Sequence, residues 1–598
     1  MHGDFSPHRW RLPPEISRAP RSARGRLSCR VEAFWTAAAL LFTAIAVLWF
    51  AVPLGRDFGG AILGSSMPLG GADDPILNAA ILEWGRRTLF SHSLRVFDFP
   101  AGFPLRNTLA STENLLGWQL FYTPLRAAGM GVIASYNVLL LCSFVISGLG
   151  MARLARQLGA GEAGALVAGM GFAFLPLHLF DMIHLQTMAV CWLPWAFYHL
   201  ERFLASRSPR DVIGLTAFSV LTLLSGINVA LYLALFLSAY LILRLVAQRR
   251  WLSWRDIAAL AFGMVGGLAI IAPVVMHYVR FNSAHGLSHP VAEIMNYSNS
   301  LSAFLRAPVW QSIWSGTSLT RDVSGIPSLP SIVLVLLMLV YLWKTRRDSE
   351  RRSVAAVLVI LIGMGVVLSL GPILKIRGNY PSTIARWVPL PGRLLLRVSA
   401  LRHPFRLVLF AYAFLALLAG LGATAIAEGL PKGLRVPVML VVLSLLFVEF
   451  RPDATLAGES VRVSEPLLGS DAYPLLANEP DRGAVVEWPW ARRDGSRDES
   501  AMSRYVYGSA GHLRRIVAYR KTVALAAPDA LQAAADALPD DDRRMTLWDA
   551  GVTRLVIHRL GARAAESERR ITALRVAAYP TLHDGAESVA FSLAPPLR

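Results

Sequence analysis

Eleven predominantly apolar stretches run along the chain, near residues 32–54, 131–151, 163–180, 185–204, 211–226, 229–247, 256–278, 329–343, 353–371, 405–427 and 434–450. A helix needs about 20 such residues, at about 1.5 Å each, to cross about 30 Å of hydrocarbon. The pattern therefore predicts a mainly α, polytopic membrane protein with about eleven transmembrane helices, of which 211–226 and 329–343 are short. The first run is too long for the apolar core of a signal peptide and no small-residue cleavage site follows it, so it is expected to remain as an anchor. After Glu449 the pattern breaks into short pieces. Residues 484–488, 515–519 and 554–558 read as strands and 526–538 and 543–550 as helices, which predicts a small α/β domain over 451–598.

Composition supports this division. Of 598 residues 54% are apolar and 17% charged, and the mean hydropathy is +0.46, whereas soluble domains run near 45–50% and 25%. The net charge of +19 would suggest nucleic acid in a soluble chain. Here residues 451–598 hold 20 Lys/Arg against 20 Asp/Glu, so the whole excess lies in the first 450 residues. Most of it falls where the positive-inside rule puts it. A basic cytoplasmic tail (1–31) carries Arg9, Arg11, Arg18, Arg21, Arg24, Arg26 and Arg30, and Arg153/Arg156, Arg202/Arg207/Arg210, Arg249/Arg250/Arg255, Lys344/Arg346/Arg347 and Lys432/Arg435 sit in short inner loops. Alternation then puts the long loops 55–130, 279–328 and 372–404, and the C-terminal domain, on the outer side of a transmembrane region spanning 32–450. Nucleic acid is not an expected partner. Cys29, Cys142 and Cys191 are not placed to form a disulfide in an oxidising compartment.

In the first outer loop, Gly70-Gly71-Ala72-Asp73-Asp74-Pro75 precedes a helical pattern through Ile76, Leu77, Ala80, Ile81 and Trp84. Asp74 before Pro75 reads as a helix cap, with the missing proline N–H harmless in the first turn. Capping uses one acid. The other, at the membrane surface, is a candidate for chemistry, since acids near lipid are expensive to keep. On this pair the sequence resembles the GT-C glycosyltransferases, multi-span enzymes that take a sugar from a polyprenyl-phosphate carrier and carry acidic residues in the first outer loop. Further features, Phe99-Pro100-Ala101-Gly102-Phe103-Pro104-Leu105, His184-Leu185-Gln186 with Trp192-Leu193-Pro194, and Leu401-Arg402-His403-Pro404-Phe405-Arg406, are similar to a subgroup of bacterial GT-C-like membrane proteins of the YfhO type. The resemblance implies a GT-C-like fold in the bacterial cytoplasmic membrane. It also implies transfer of a hexosyl or pentosyl group to a glycan, lipid or protein acceptor, with Asp73 or Asp74 as the catalytic carboxylate that acts as general base or orients the acceptor hydroxyl.

Other polar groups fall at outer helix ends. Asp181, His184 and Gln186 are candidates for substrate binding, with a tight inter-helix turn as the alternative reading of His184 and Gln186. The segment 372–406 holds Lys375, Arg377, Arg386, Arg393, Arg397, Arg402 and Arg406 and no acid, against the positive-inside pattern. A phosphate head group would explain this through charge-assisted, bidentate contacts, with Arg402, Arg406, Arg397 and Lys375 as its candidate ligands. Contact with ordinary anionic phospholipid is the competing explanation. No Cys/His spacing demands a metal, although an Asp-held divalent ion is compatible with the proposed chemistry. His285, His289 and Glu293 read as a solvated loop, and Glu487, His512 and His558 as surface or core groups. The C-terminal domain has no nucleotide-binding or hydrolase motif, which leaves acceptor capture or assembly as its expected role. Two alternative functions remain open. A flippase of lipid-linked glycans would show inverted repeats and mid-membrane charges, and no internal repeat is visible. A non-catalytic envelope assembly protein would keep the fold and bind the lipid without turnover.

Overall fold

The computed structural model describes residues 21–595, apart from 56, 64–72, 92–94, 250, 287–289, 309–310, 316, 318–325, 379–380, 383–387, 398–401, 453–459, 491–497, 520–524 and 560–562. The helices are α1 (Arg21–Leu54), α2 (Asp73–Leu89), α3 (Gln119–Ala127), α4 (Val132–Gln157), α5 (Glu162–Ala173), α6 (Pro176–Asp181), α7 (Leu193–Ser206), α8 (Pro209–Ser225), α9 (Ile227–Gln248) and α10 (Trp254–His285). They continue with α11 (Val291–Asn296), α12 (Ile332–Thr345), α13 (Ser349–Ser369), α14 (Leu407–Glu428), α15 (Lys432–Phe450), α16 (Tyr473–Asn478), α17 (Glu499–His512), α18 (Ala526–Asp536), α19 (Asp541–Asp549) and α20 (Ala564–Val576).

Each of the eleven apolar stretches falls on helix. Among the described residues eight helical segments are long and apolar enough to span a membrane. The other three stretches fall on the shorter helices α7, α8 and α12, of 14, 17 and 14 residues. The protein is a multi-pass membrane protein.

The centre of the bundle is α14, whose apolar window is wholly buried and which packs against α5, α12 and α13. Between helices in lipid the drive to associate is close packing rather than water release, so small residues mark the tightest crossings. A Cβ on Gly164 of α5 would sit 2.3 Å from the Gly420 carbonyl oxygen of α14, and one on Gly420 2.5 Å from that of Gly164. Backbone therefore meets backbone there. At the other extreme α10 turns an almost unburied apolar surface outward, with Phe262, Val265, Leu268 and Ile270 exposed, as a lipid-facing helix does.

The C-terminal region builds a four-stranded sheet in the order β3 (Ala484–Trp488), β4 (Val552–His558), β6 (Ser588–Ser592), β5 (Thr581–Asp584). The β3–β4 pair is parallel and the others antiparallel. Strands 484–488 and 554–558 and the two helices match expectation. The expected strand at 515–519 does not join this sheet as a strand. Ile516 instead makes isolated bridges to Val485 on one side and Ala101 on the other. Phe103 N–H donates to Ile516 O and Gly102 N–H to Ala518 O, so the 99–105 segment of the first long loop is stitched to the C-terminal region. Two further ties join them: β1 (Ala61–Leu63) pairs with β2 (Ser460–Arg462), and α17 packs along α2.

Candidate active site

The first long loop presents α2 with Asp73 and Asp74 in its first turn, where a negative charge meets the exposed N–H groups and positive end of the helix dipole. Twelve of its seventeen residues are buried, so the helix is held on several sides. At its far end Glu83 is buried and receives Arg86, Arg87 and Arg126 as ion-pair partners and the Tyr122 hydroxyl as a donor. Burial alone would raise the Glu83 carboxyl, but these arginines hold it below its usual range.

The head of α2 meets the turn after α6. His184 lies between two carboxylates, with Nε2 3.1 Å from Asp74 Oδ2 and Nδ1 2.6 Å from Asp181 Oδ1. Asp181 in turn accepts two charge-assisted bonds from Arg406, from Nε at 2.7 Å and Nη2 at 3.0 Å. Exposure grades along this row: Asp74 and His184 are each 18% exposed, Asp181 1% and Arg406 4%. Arg406 thus balances the buried acid, while the Asp74–His184 contact keeps partial exposure.

A second tie joins the same elements, since Asn78 on α2 donates to Gln186 Oε1 at 3.1 Å. The turn carrying His184 and Gln186 is also seated against α9. A Cβ on Gly226 would lie 2.1 Å from the Gln186 carbonyl oxygen, so glycine is what lets this turn approach.

The basic segment divides. Arg406 points inward to Asp181. Arg402 lies over the Tyr297 ring, 5.2 Å from its centre, and pairs with Glu293 at 2.6 Å. Lys375 is far from any open surface: its ammonium donates to the carbonyls of Met295 and Ser298, both at 2.6 Å. Burial, with Arg306 nearby, pushes this lysine down to about 8. It braces the loop rather than facing a ligand. Arg397 ends a short 3-10 turn, Pro391–Arg397, and its side chain, like Arg386, lies outside the described residues. Trp192 is core, stacked on Phe121 with its Nε1 donating to Ser225, and Pro194 sits in the first turn of α7. Glu293 is not a solvated loop acid but the partner of Arg402.

One residue at this site gave no sequence signal. Glu113 accepts from Ile227 N–H at 2.8 Å and Asn228 Nδ2 at 3.1 Å at the start of α9, within electrostatic reach of Arg406, and burial raises its carboxyl above the usual range. A lone acid in a long loop carries no motif. Only its position at a helix start beside the buried arginine marks it. Among the described residues no group of three His, Cys, Asp or Glu side chains is arranged to hold a metal ion.

Neither a protein-family model nor a curated protein matches the sequence. Solved structures do. The mycobacterial arabinofuranosyltransferase AftD superimposes on 94% of this chain with a TM-score of 0.58 at 14% identity. The chain has the GT-C fold. It spans 40% of the AftD chain. ArnT from Cupriavidus metallidurans (TM-score 0.47, 15% identity, 94% of this chain and 99% of that one) and the Archaeoglobus fulgidus oligosaccharyltransferase AglB (0.48, 11%, 92% and 73%) match more loosely, and the fold assignment rests on AftD. Within that GT-C framework the four groups of the row come from three segments separated by more than a hundred residues each, and all lie at one end of the bundle.

Proposed function

We propose that the protein is a membrane glycosyltransferase that moves a sugar from a polyprenyl-phosphate donor to an acceptor on the outer face of the cytoplasmic membrane. The convergence of Asp74, His184, Asp181 and Arg406 in a GT-C-fold chain carries this reading. In the reaction the acceptor hydroxyl gives its proton to Asp74. Its oxygen bonds to the anomeric carbon as the bond from that carbon to the phosphate oxygen breaks, and the electron pair leaves on the phosphate. His184 stands behind Asp74 to share the proton, and Asp181, clamped by Arg406, keeps the imidazole in place. Arg402, nearer the surface than Arg406, receives the departing phosphate charge.

The test is sugar transfer by purified protein from a panel of polyprenyl-phosphate pentoses and hexoses, for wild type, Asp73→Asn, Asp74→Asn and Arg402→Ala. Transfer by wild type with loss in Asp74→Asn supports the reading. Full rate in both asparagine variants rules out a carboxylate mechanism, and lipid binding without turnover in wild type points to an assembly protein instead. Reporter fusions at the C-terminus test orientation, with an extracytoplasmic signal expected.

A further inference from the structure

Arg402 is half-buried, and its fork is filled in a particular way. Glu293, on the short helix α11, places Oε1 2.6 Å from Nη2 of Arg402, and both side chains are about one-quarter exposed. The guanidinium lies over Tyr297, whose ring also touches His403, 4.4 Å between centres. Tyr297 O accepts from Phe405 N–H at 3.0 Å, so the segment after α11 is fastened to the Arg402 segment by backbone. Arg402 Nε is buried with no hydrogen-bond partner. The arginine is therefore held flat and in place by groups other than Glu293, with one N–H still open. Glu293 meets Arg402 through its side chain, whereas the backbone tie of this segment runs through Tyr297 and Phe405.

A carboxylate and a phosphate present the same paired oxygens to a guanidinium. We infer that Glu293 is an internal anion that occupies the phosphate seat of Arg402 and that an incoming lipid phosphate displaces it. This rests on the assignment of Arg402 to the donor phosphate. The consequence is selectivity. A lipid without a phosphate cannot compete with Glu293 for the arginine, so the seat opens to phosphate-bearing lipids and stays shut to neutral ones. The acid thereby limits idle capture of Arg402 by weaker ligands, at the expense of donor affinity.

The experiment uses the full chain in nanodiscs of neutral lipid and measures binding of undecaprenyl monophosphate, with phosphatidylglycerol, inorganic phosphate and undecaprenol as separate probes. Wild type, Glu293→Gln, Arg402→Ala and the double variant are compared, each checked for an unchanged melting temperature. An exchange against a partly exposed ion pair predicts that Glu293→Gln tightens undecaprenyl monophosphate binding about two- to fivefold. Arg402→Ala weakens it, the gain from Glu293→Gln vanishes in the double variant, and undecaprenol binding is unmoved. Equal tightening for phosphatidylglycerol keeps the displacement but makes the seat a general lipid-phosphate site, and tightening for inorganic phosphate alone assigns the seat to free anion and overturns the lipid assignment. If Glu293→Gln changes nothing while Arg402→Ala weakens binding, the gate is wrong and the phosphate role of Arg402 stands. If Arg402→Ala changes nothing, both fall.

Discussion

Carboxylate–imidazole contacts of about 3 Å recur among the described residues, and two of them differ in kind. In the membrane half Asp74 meets His184 at 3.1 Å, backed by Asp181 and Arg406. In the C-terminal region Glu487 meets His558 at 3.0 Å and accepts from the Tyr473 hydroxyl at 2.9 Å, while the His558 ring stacks on Tyr505. The first pair is reached from outside and its charge is balanced by an arginine further in. In the second only the histidine edge is exposed, at 14%, while the Glu487 side chain is wholly buried, with no cation among these contacts. An acid–histidine contact alone does not make a site. An exposed acid on one side and a fixed counter-charge on the other set the first pair apart, and the proposed proton exchange rests on that difference.

The comparison breaks most sharply in activity. Asp74→Asn is expected to lower sugar transfer by about a hundredfold or more, the usual range for a lost general base, whereas Glu487→Gln leaves the rate unchanged and lowers only the melting temperature. Comparable rate losses would erase the distinction.

Stability comes next. Arg406→Ala leaves the Asp181 carboxylate buried without its partner, and breaking such a pair costs about 3–5 kcal/mol. Denaturant or thermal unfolding in detergent measures it, and Asp181→Asn combined with Arg406→Ala should recover part of the loss.

Acid should expose the closed region. Burial, with Arg514 adding repulsion, pushes His512 from its ordinary value of 6.5 down to about 3. The folded domain thus refuses a proton that the unfolded chain accepts, and stability falls as pH drops from about 6.5 towards 3, by at most about 1.4 kcal/mol per pH unit. His512→Gln should flatten the slope of melting temperature against pH over that window.

The smallest effect is expected at Glu113. Its raised carboxyl means that the folded state keeps the proton to a higher pH than the unfolded chain, so its ionisation costs stability as pH rises above the ordinary 4.5. Glu113→Gln keeps an oxygen for Ile227 N–H and should melt no lower than wild type at pH 7. Its advantage should shrink towards pH 4.

Much of the site was legible because polar residues at the ends of apolar runs are conspicuous. Asp74, Asp181, His184 and Arg406 stand out against lipid-compatible neighbours, and the structure brings them together. What one sequence could not show was pairing. Arg402 and Arg406 have the same local context, yet one turns inward to Asp181 and the other lies over Tyr297 against Glu293. Lys375 looked like a phosphate ligand because its segment carries no acid, but backbone carbonyls of another loop claim it. The strands at 581–584 and 588–592 escaped notice for the same reason, as β5 is short and exposed and β6 acquires its burial from β4.

The sequence by itself determined the membrane class, the helical stretches and the change to a mixed strand-and-helix pattern after residue 450, because hydrocarbon imposes length and apolarity locally, residue by residue. Only the tertiary structure decided which charges meet. A salt bridge between residues 225 positions apart, as between Asp181 and Arg406, depends on how the segment running from α5 to Asp181 is set against α14, and that placement is fixed by backbone contacts such as Gly164 of α5 against Gly420 of α14 that no local pattern encodes.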